Sequence, residues 1–302
     1  MPPSPQRPAL SPVTIAVLQI AAMDVLLGLS WPVIKIGLQG ATPVWLAFGR
    51  AAISCAASVA LLLVLRRLKP PARADWPVVF SMGTFQNALF FALTTVGVTT
   101  VPAGRASILS YTVALWMVPL SLLLGEAVGW RRMGGVVVGV AGAFVLMDPW
   151  HLDWTDHDVL FGHACLLGAA LSWGIALLHA RRHAWVGTPL DVLPWQFGIT
   201  TLWLGLLGFV FEPRGGVSWA VEPVAALIYL GIFAGPVGSW AITSAARVVS
   251  PVAISLGVLG APVVGVAAST LWLGEPVTWP LLAGAALVGA GIVIVVQAGR
   301  RG

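Results

Sequence analysis

Asp24, Gly28, Trp31 and Lys35 are spaced four, three and four residues apart, so a helix carries an acid, a flat ring and a base along one stripe. Both charges fall within one long apolar run. A charge near the centre of a bilayer costs roughly 2.5–3.5 kcal/mol, so it must face protein or water. The two stand about 16 Å apart along the axis, too far to pair directly. Two readings stay open. In one, the stripe lines a cavity and Asp24 binds a substrate amine or a proton. In the other, Asp24 sits near one interface and Lys35 snorkels to the opposite one.

Arg50 lies about two turns into the next apolar run, and its fork-shaped, permanently charged head suits a carboxylate. A structural bond to carbonyls or to a neighbouring helix end is the alternative. Gln86 and Asn87 fall at mid-depth of a third run, where an amide must hydrogen-bond to another helix or to a substrate because lipid offers no partner. Tyr111, Trp116, Trp173, Ser239 and Trp240 are candidates for an aromatic-lined pocket with a few polar anchors. Ordinary packing is open for each of these rings, because the chain has 15 tryptophans and several look like interfacial belt anchors. The candidate substrate-binding set is therefore Asp24, Trp31, Gln86, Asn87, Tyr111, Trp116, Trp173, Ser239 and Trp240, with Lys35 and Arg50 as candidate anion contacts.

Other chemistry finds little support. Cys55 and Cys165 each sit in an apolar run and read as free packed thiols. His151, Asp153, Asp156, His157 and Asp158 crowd one segment, which reads as a solvated acidic linker rather than a metal site. The sequence contains no Gly-x-x-x-x-Gly-Lys loop, no His-Glu-x-x-His and no Gly-x-Ser-x-Gly. No catalytic residue and no cofactor is expected, and ATP is not the direct energy source on this chain. The net charge of +5 marks no nucleic-acid surface; the cations fall into a pattern that speaks of topology instead.

The elements that position these side chains follow from composition. Hydrophobic residues make up 58% of 302 positions and charged residues 9%, against about 25% charged in a soluble domain. With about 20 apolar residues needed per crossing, spans fall near 13–37, 43–65, 76–98, 102–124, 131–148, 159–179, 189–211, 223–246, 250–272 and 278–297. Loops on one side hold Arg66, Arg67, Lys69, Arg73, Arg131, Arg132, Arg181, Arg182 and Arg247. The other side carries Arg214 with Arg105 at a helix entrance, and gathers Asp148, Asp153, Asp156, Asp158, Glu212 and Glu222. Lys and Arg favour the cytoplasmic side of short loops, so both termini are expected inside. The stretch before residue 13 reads as a disordered tail rather than a cleaved signal, since the apolar run after it is too long for an h-region.

The chain also repeats itself. Leu124-Gly125-Glu126 returns as Leu273-Gly274-Glu275, Gly135 and Gly142 return as Gly284 and Gly291, and Leu29-Ser30-Trp31 returns as Leu171-Ser172-Trp173. Thr42-Pro43 returns as Thr188-Pro189. A duplicated unit follows. The expected organisation is a tail 1–12, a first unit 13–148, an acidic outer linker 149–158, a second unit 159–297 and a tail 298–302. Five spans per unit is an odd number, so the second copy enters the membrane from the opposite side. Two inverted units can rock about a central site and expose it by turns. Glu126 and Glu275 read as capping groups for the helix that follows each of them. The small-xxx-small glycine faces read as packing surfaces, with a homodimer contact left open.

With these features in hand, the chain resembles the EamA-type branch of the drug/metabolite transporter superfamily. The likeness rests on Trp31, Lys35, Pro43 and Arg50 in the first unit. In the second it rests on Trp173, Pro251, Pro262 and Leu273-Gly274-Glu275-Pro276. It implies an all-α integral membrane protein of ten transmembrane helices in two inverted five-helix repeats, in a bacterial-type inner membrane. It implies secondary transport of small metabolites, often amino acids or related compounds and frequently outward, with one cavity lined from spans 1, 3, 4, 6, 8 and 9. A lipid- or metabolite-modifying intramembrane enzyme and a non-transporting scaffold are the alternatives. The units have diverged: Gln196 stands where Arg50 stands in the first copy, and Pro262 has no proline counterpart.

Overall fold

Backbone amides in an apolar medium must be satisfied within their own segment, so long apolar runs wind into helices. A computed structural model describes residues 12–152, 154–238 and 259–298, and these residues form helical rods with no strand among them. In chain order the rods are α1 (Pro12–Gly37), α2 (Pro43–Val64), α3 (Arg73–Thr100), α4 (Ala103–Leu123), α5 (Trp130–Leu146), α6 (His157–Arg182), α7 (Leu193–Phe211), α8 (Val221–Val237), α9 (Gly260–Leu273) and α10 (Trp279–Ala298). Seven of them, α1 to α4, α6, α7 and α10, are long and apolar enough to cross a membrane. α5, α8 and α9 are shorter. The expected eighth and ninth spans run partly through residues 239–258, outside the described residues.

Local signals set the rod ends. Proline stands in the first turn of α2 and α7, where its missing N–H costs no helical bond. Asp156 caps α6, its carboxylate accepting from the backbone N–H groups of Asp158 and Val159 at 3.0 and 3.1 Å. Gly125 and Gly274, the central residues of the two Leu-Gly-Glu turns, both adopt positive φ, 77° and 68°, which stops the preceding helix at low cost.

The packing partners come in exchanged pairs. α2 lies against α7, α4 against α9 and α5 against α10. α1 packs on α9 as α6 packs on α4; α3 packs on α6 as α8 packs on α1; α3 packs on α7 as α8 packs on α2. The glycine faces of α5 and α10 meet each other. A Cβ on Gly291 would stand 2.6 Å from the Gly135 carbonyl oxygen, and one on Gly142 would stand 2.6 Å from the Val288 nitrogen. Gly135, Gly139, Gly142, Gly284 and Gly291 are thus used within the chain, whereas a Cβ on Gly289 would meet nothing within 4 Å.

The two repeated glutamates take different partners from those the sequence pointed to. Glu275 does not cap the next helix; its carboxylate accepts from Ala103 N at 2.7 Å and Gly104 N at 2.9 Å, at the start of α4. Glu126 instead accepts from Arg182 at 2.6 Å, and that guanidinium holds its carboxyl below the ordinary glutamate value. A third carboxylate, Glu212, receives the N–H groups of Val44 and Trp45 at the start of α2. Sequence spacing points Glu126 and Glu275 to the helix that follows each; tertiary packing brings a guanidinium closer to the first and the N-terminus of α4 closer to the second.

Candidate functional site: a central cavity

α1, α2, α3, α4, α6, α7 and α8 enclose a cavity of about 210 Å³. α3 reaches it through a π-helical stretch, Met82–Leu89, that carries Gln86 and Asn87, and α8 reaches it through a second such stretch, Tyr229–Val237. Wide turns of this kind are uncommon and recur at functional positions.

Six aromatic rings line the wall: Trp31, Phe90, Phe91, Tyr111, Trp173 and Phe197. Phe90 and Tyr111 meet Trp173 edge to face, with centroids 5.1 and 6.2 Å apart. Ser30, Thr94, Gln86 and Asn87 add polar groups. Arg50 is the one charged side chain among the described lining residues. It is 6% exposed, its guanidinium carbon sits 3.8 Å from the centroid of the Phe91 ring, and its Nε has no hydrogen-bond partner. It forms no ion pair with a described residue. A buried guanidinium without a counter-charge is an electrostatic deficit that an anionic ligand would fill. Its counterpart in the second unit, Gln196, is 2% exposed and points its amide at the Met82 sulfur, 3.3 Å away.

Six of the residues singled out in the sequence therefore share one cavity: Trp31, Arg50, Gln86, Asn87, Tyr111 and Trp173. Three others stand elsewhere. Lys35 donates to the carbonyls of Val98 and Thr99 at 2.6 and 3.3 Å, closing the last turn of α3. Trp116 lines a separate apolar groove between α4 and α5, with Pro119, Val136 and Val140. Asp24 accepts a bond from the Ala261 N–H at the start of α9, while its Oδ1 is buried without a partner among the described residues. The Asp24–Lys35 stripe does not face the cavity as a whole because α9 packs on it: a Cβ on Gly28 would meet Val264 at 2.6 Å. Ser239 and Trp240 lie outside the described residues.

Sequence reasoning missed Phe90, Phe91, Thr94 and Phe197. Phe90 and Phe91 follow Gln86 and Asn87 by four positions, which keeps each pair on one helical face, so that signal was present. The α8 wall, with Ala234 and Gly235, offers no chemistry to read. The acidic segment before α6 is a local tie: His151 Nδ1 lies 2.8 Å from Asp148, and Arg105 donates to the Met147 carbonyl at 3.2 Å. Asp153 is outside the described residues.

Apolar helices wrapped around a small, aromatic, singly charged cavity define a multi-pass membrane protein with a site of metabolite size. A family model described as the EamA-like transporter family matches residues 14–148 and again residues 160–297, and the chain belongs to that family. It is 26% identical over 299 residues to the uncharacterized transporter YvbV of Bacillus subtilis (strain 168), covering 94% of this chain and 92% of that one. It is 28% identical over 275 residues to a probable terminal-alkyne amino-acid exporter of Streptantibioticus cattleyicolor, covering 88% of each. The fold matches a solved crystal structure with a TM-score of 0.65 at 21% identity, over 95% of this chain and 98% of that one. The names of family and relatives describe transporters, not enzymes.

Proposed function

We propose that this protein is a secondary transporter, working as an exporter, that carries small carboxylates with an apolar or aromatic body, amino acids among them, by alternating access at the central cavity. The observation that carries this reading is Arg50: a buried cation with no counter-charge among the described residues, set on an aromatic wall beside two mid-depth amides. The printed name of the Streptantibioticus relative, an amino-acid exporter, is in keeping with such a cargo.

Residues 13–148 and 159–297 act as two inverted five-helix units joined by the linker 149–158, with both termini cytoplasmic. The double family match and the exchanged helix partners support this. So does the gathering of Arg66, Arg67, Lys69, Arg131, Arg132, Arg181 and Arg182 in loops that alternate with acidic ones. A substrate or proton gradient drives the cycle. Asp24, with a buried oxygen left unpartnered, is the acid that takes up the coupling proton. The test is counterflow in proteoliposomes with a panel of radiolabelled carboxylic acids and their matched amides. Acids should exchange and amides should not; a protein that moves neither under any imposed gradient sinks the proposal.

A further inference from the structure

The two π-helical stretches are held in the same way from opposite halves of the chain. Ser54 Oγ, on α2, donates to the Gly231 carbonyl of α8 at 2.8 Å, and Thr200 Oγ1, on α7, shares its one proton between the Gly83 carbonyl of α3 at 2.9 Å and the Gln196 carbonyl of its own helix at 2.8 Å. Ser54 and Thr200 are separated by the same offset as Thr42-Pro43 and Thr188-Pro189. The surroundings repeat as well. A Cβ on Gly83 would stand 2.8 Å from the Gln196 carbonyl oxygen and 2.9 Å from Ile199 Cβ. A Cβ on Gly231 would stand 3.1 Å from the Arg50 carbonyl oxygen and 2.5 Å from Ile53 Cβ. Arg50 with Gln196, Ile53 with Ile199 and Ser54 with Thr200 are repeat partners at one shared offset, so one contact is built twice.

Each glycine begins the part of its stretch that walls the cavity. Gln86 and Asn87 follow Gly83 by about one turn, and Ala234 and Gly235 follow Gly231 by about one turn. Ser54 lies four residues after Arg50, on the same face of α2. A hydroxyl gripping one carbonyl across a contact with no Cβ lets a helix tilt there while blocking its slide.

We propose that Ser54 and Thr200 are paired pivot residues: each hydroxyl pins the π-helical stretch of the opposite half at its glycine, so that α8 and α3 bend there and carry the cavity walls with them. This rests on the alternating-access reading above. It adds that Arg50 and the α8 pivot share one helical face, so cargo seated on the guanidinium is coupled to the bend in α8.

The test uses full-length protein with Cys55→Ala and Cys165→Ala, and a reporter, Leu27→Cys, on the partly exposed cavity wall of α1. Oriented vesicles are labelled with a membrane-impermeant maleimide from either face, and deuterium exchange is followed over residues 82–89 and 229–237. The parent should label from both faces. Ser54→Ala and Thr200→Val should each slow labelling from one face at least tenfold, and Ser54→Thr should keep the parent pattern. Thr200→Val should raise exchange in 82–89 alone, and Ser54→Ala in 229–237 alone. Two-sided labelling at parent rates in both variants overturns the pivots, whatever the exchange shows. A parent that labels from one face only overturns alternating access itself, and the pivots with it. Should Ser54→Ala fail to fold, Thr200→Val carries the same test from the other half.

Discussion

Arg50→Gln places in the first unit the residue that its counterpart Gln196 supplies in the second, removing the charge while keeping a hydrogen-bonding head. A hydrogen bond to a charged group contributes about 1.5–3 kcal/mol net. The variant should therefore bind a carboxylate roughly 10- to 150-fold more weakly, at about 1.4 kcal/mol per decade. Stability should move differently. The guanidinium has a contact with the Phe91 ring, worth about 0.5–2 kcal/mol, but it has no ion pair to a described residue and its Nε is unpartnered. Relief of that buried, unpaired charge offsets the lost ring contact. The thermal midpoint should hold steady or rise while affinity falls. Arg50→Lys keeps the charge but loses the two-pronged fork, so it should fall between parent and glutamine. The assay is the half-saturating concentration for a carboxylate and for its amide in proteoliposome counterflow, read beside a thermal melt. An Arg50→Gln protein that binds the acid within threefold of the parent and still rejects the amide would show that the guanidinium is not the anion contact.

Asp24→Asn should abolish proton-linked transport and leave the melt unchanged; a variant whose transport keeps the parent's pH profile removes Asp24 as the coupling acid. Gly291→Leu should destabilise by about 1–3 kcal/mol or more, because its side chain meets the backbone of Gly135 and Gly139 on α5, which cannot yield as a side chain would. Gly289→Leu, where a Cβ meets nothing within 4 Å, is the control and should melt with the parent. Glu275→Ala should cost about 0.5–2 kcal/mol through the lost cap on α4. Glu126→Ala, an exposed ion-pair partner, should shift the melt less, and equal shifts in the two variants would contradict the assignment of the cap to Glu275.

Much of the helix pattern is legible from hydrophobic run length, because lipid imposes the same demand on every crossing segment. The expected 43–65 shares its first residue with Pro43–Val64 and runs one residue longer, and 278–297 is offset by one residue from Trp279–Ala298. The breaks read at 98–102 and 124–131 appear as the Val101-Pro102 link and the Leu124–Gly129 turn. The cavity was legible where chemistry is costly in lipid: Arg50, Gln86 and Asn87 stand out because an apolar run tolerates such groups only for a reason. Aromatic residues carried less information. Trp173 and Trp116 look alike in the sequence, yet one walls the cavity and the other lines an outer groove.

Residue order alone points to where apolar segments begin and end, which short turns separate them and which polar groups are too costly in lipid to lack a partner. All of these are local properties of segment length, backbone conformation and solvation. Packing decides the rest, because a partner is chosen by distance in space. Lys35 turned to the carbonyls of α3 and Glu275 to the amides of α4. Ser54 and Thr200 found glycine carbonyls in the opposite half, and Arg50 was left beside an aromatic ring with no acid of the described chain to meet it.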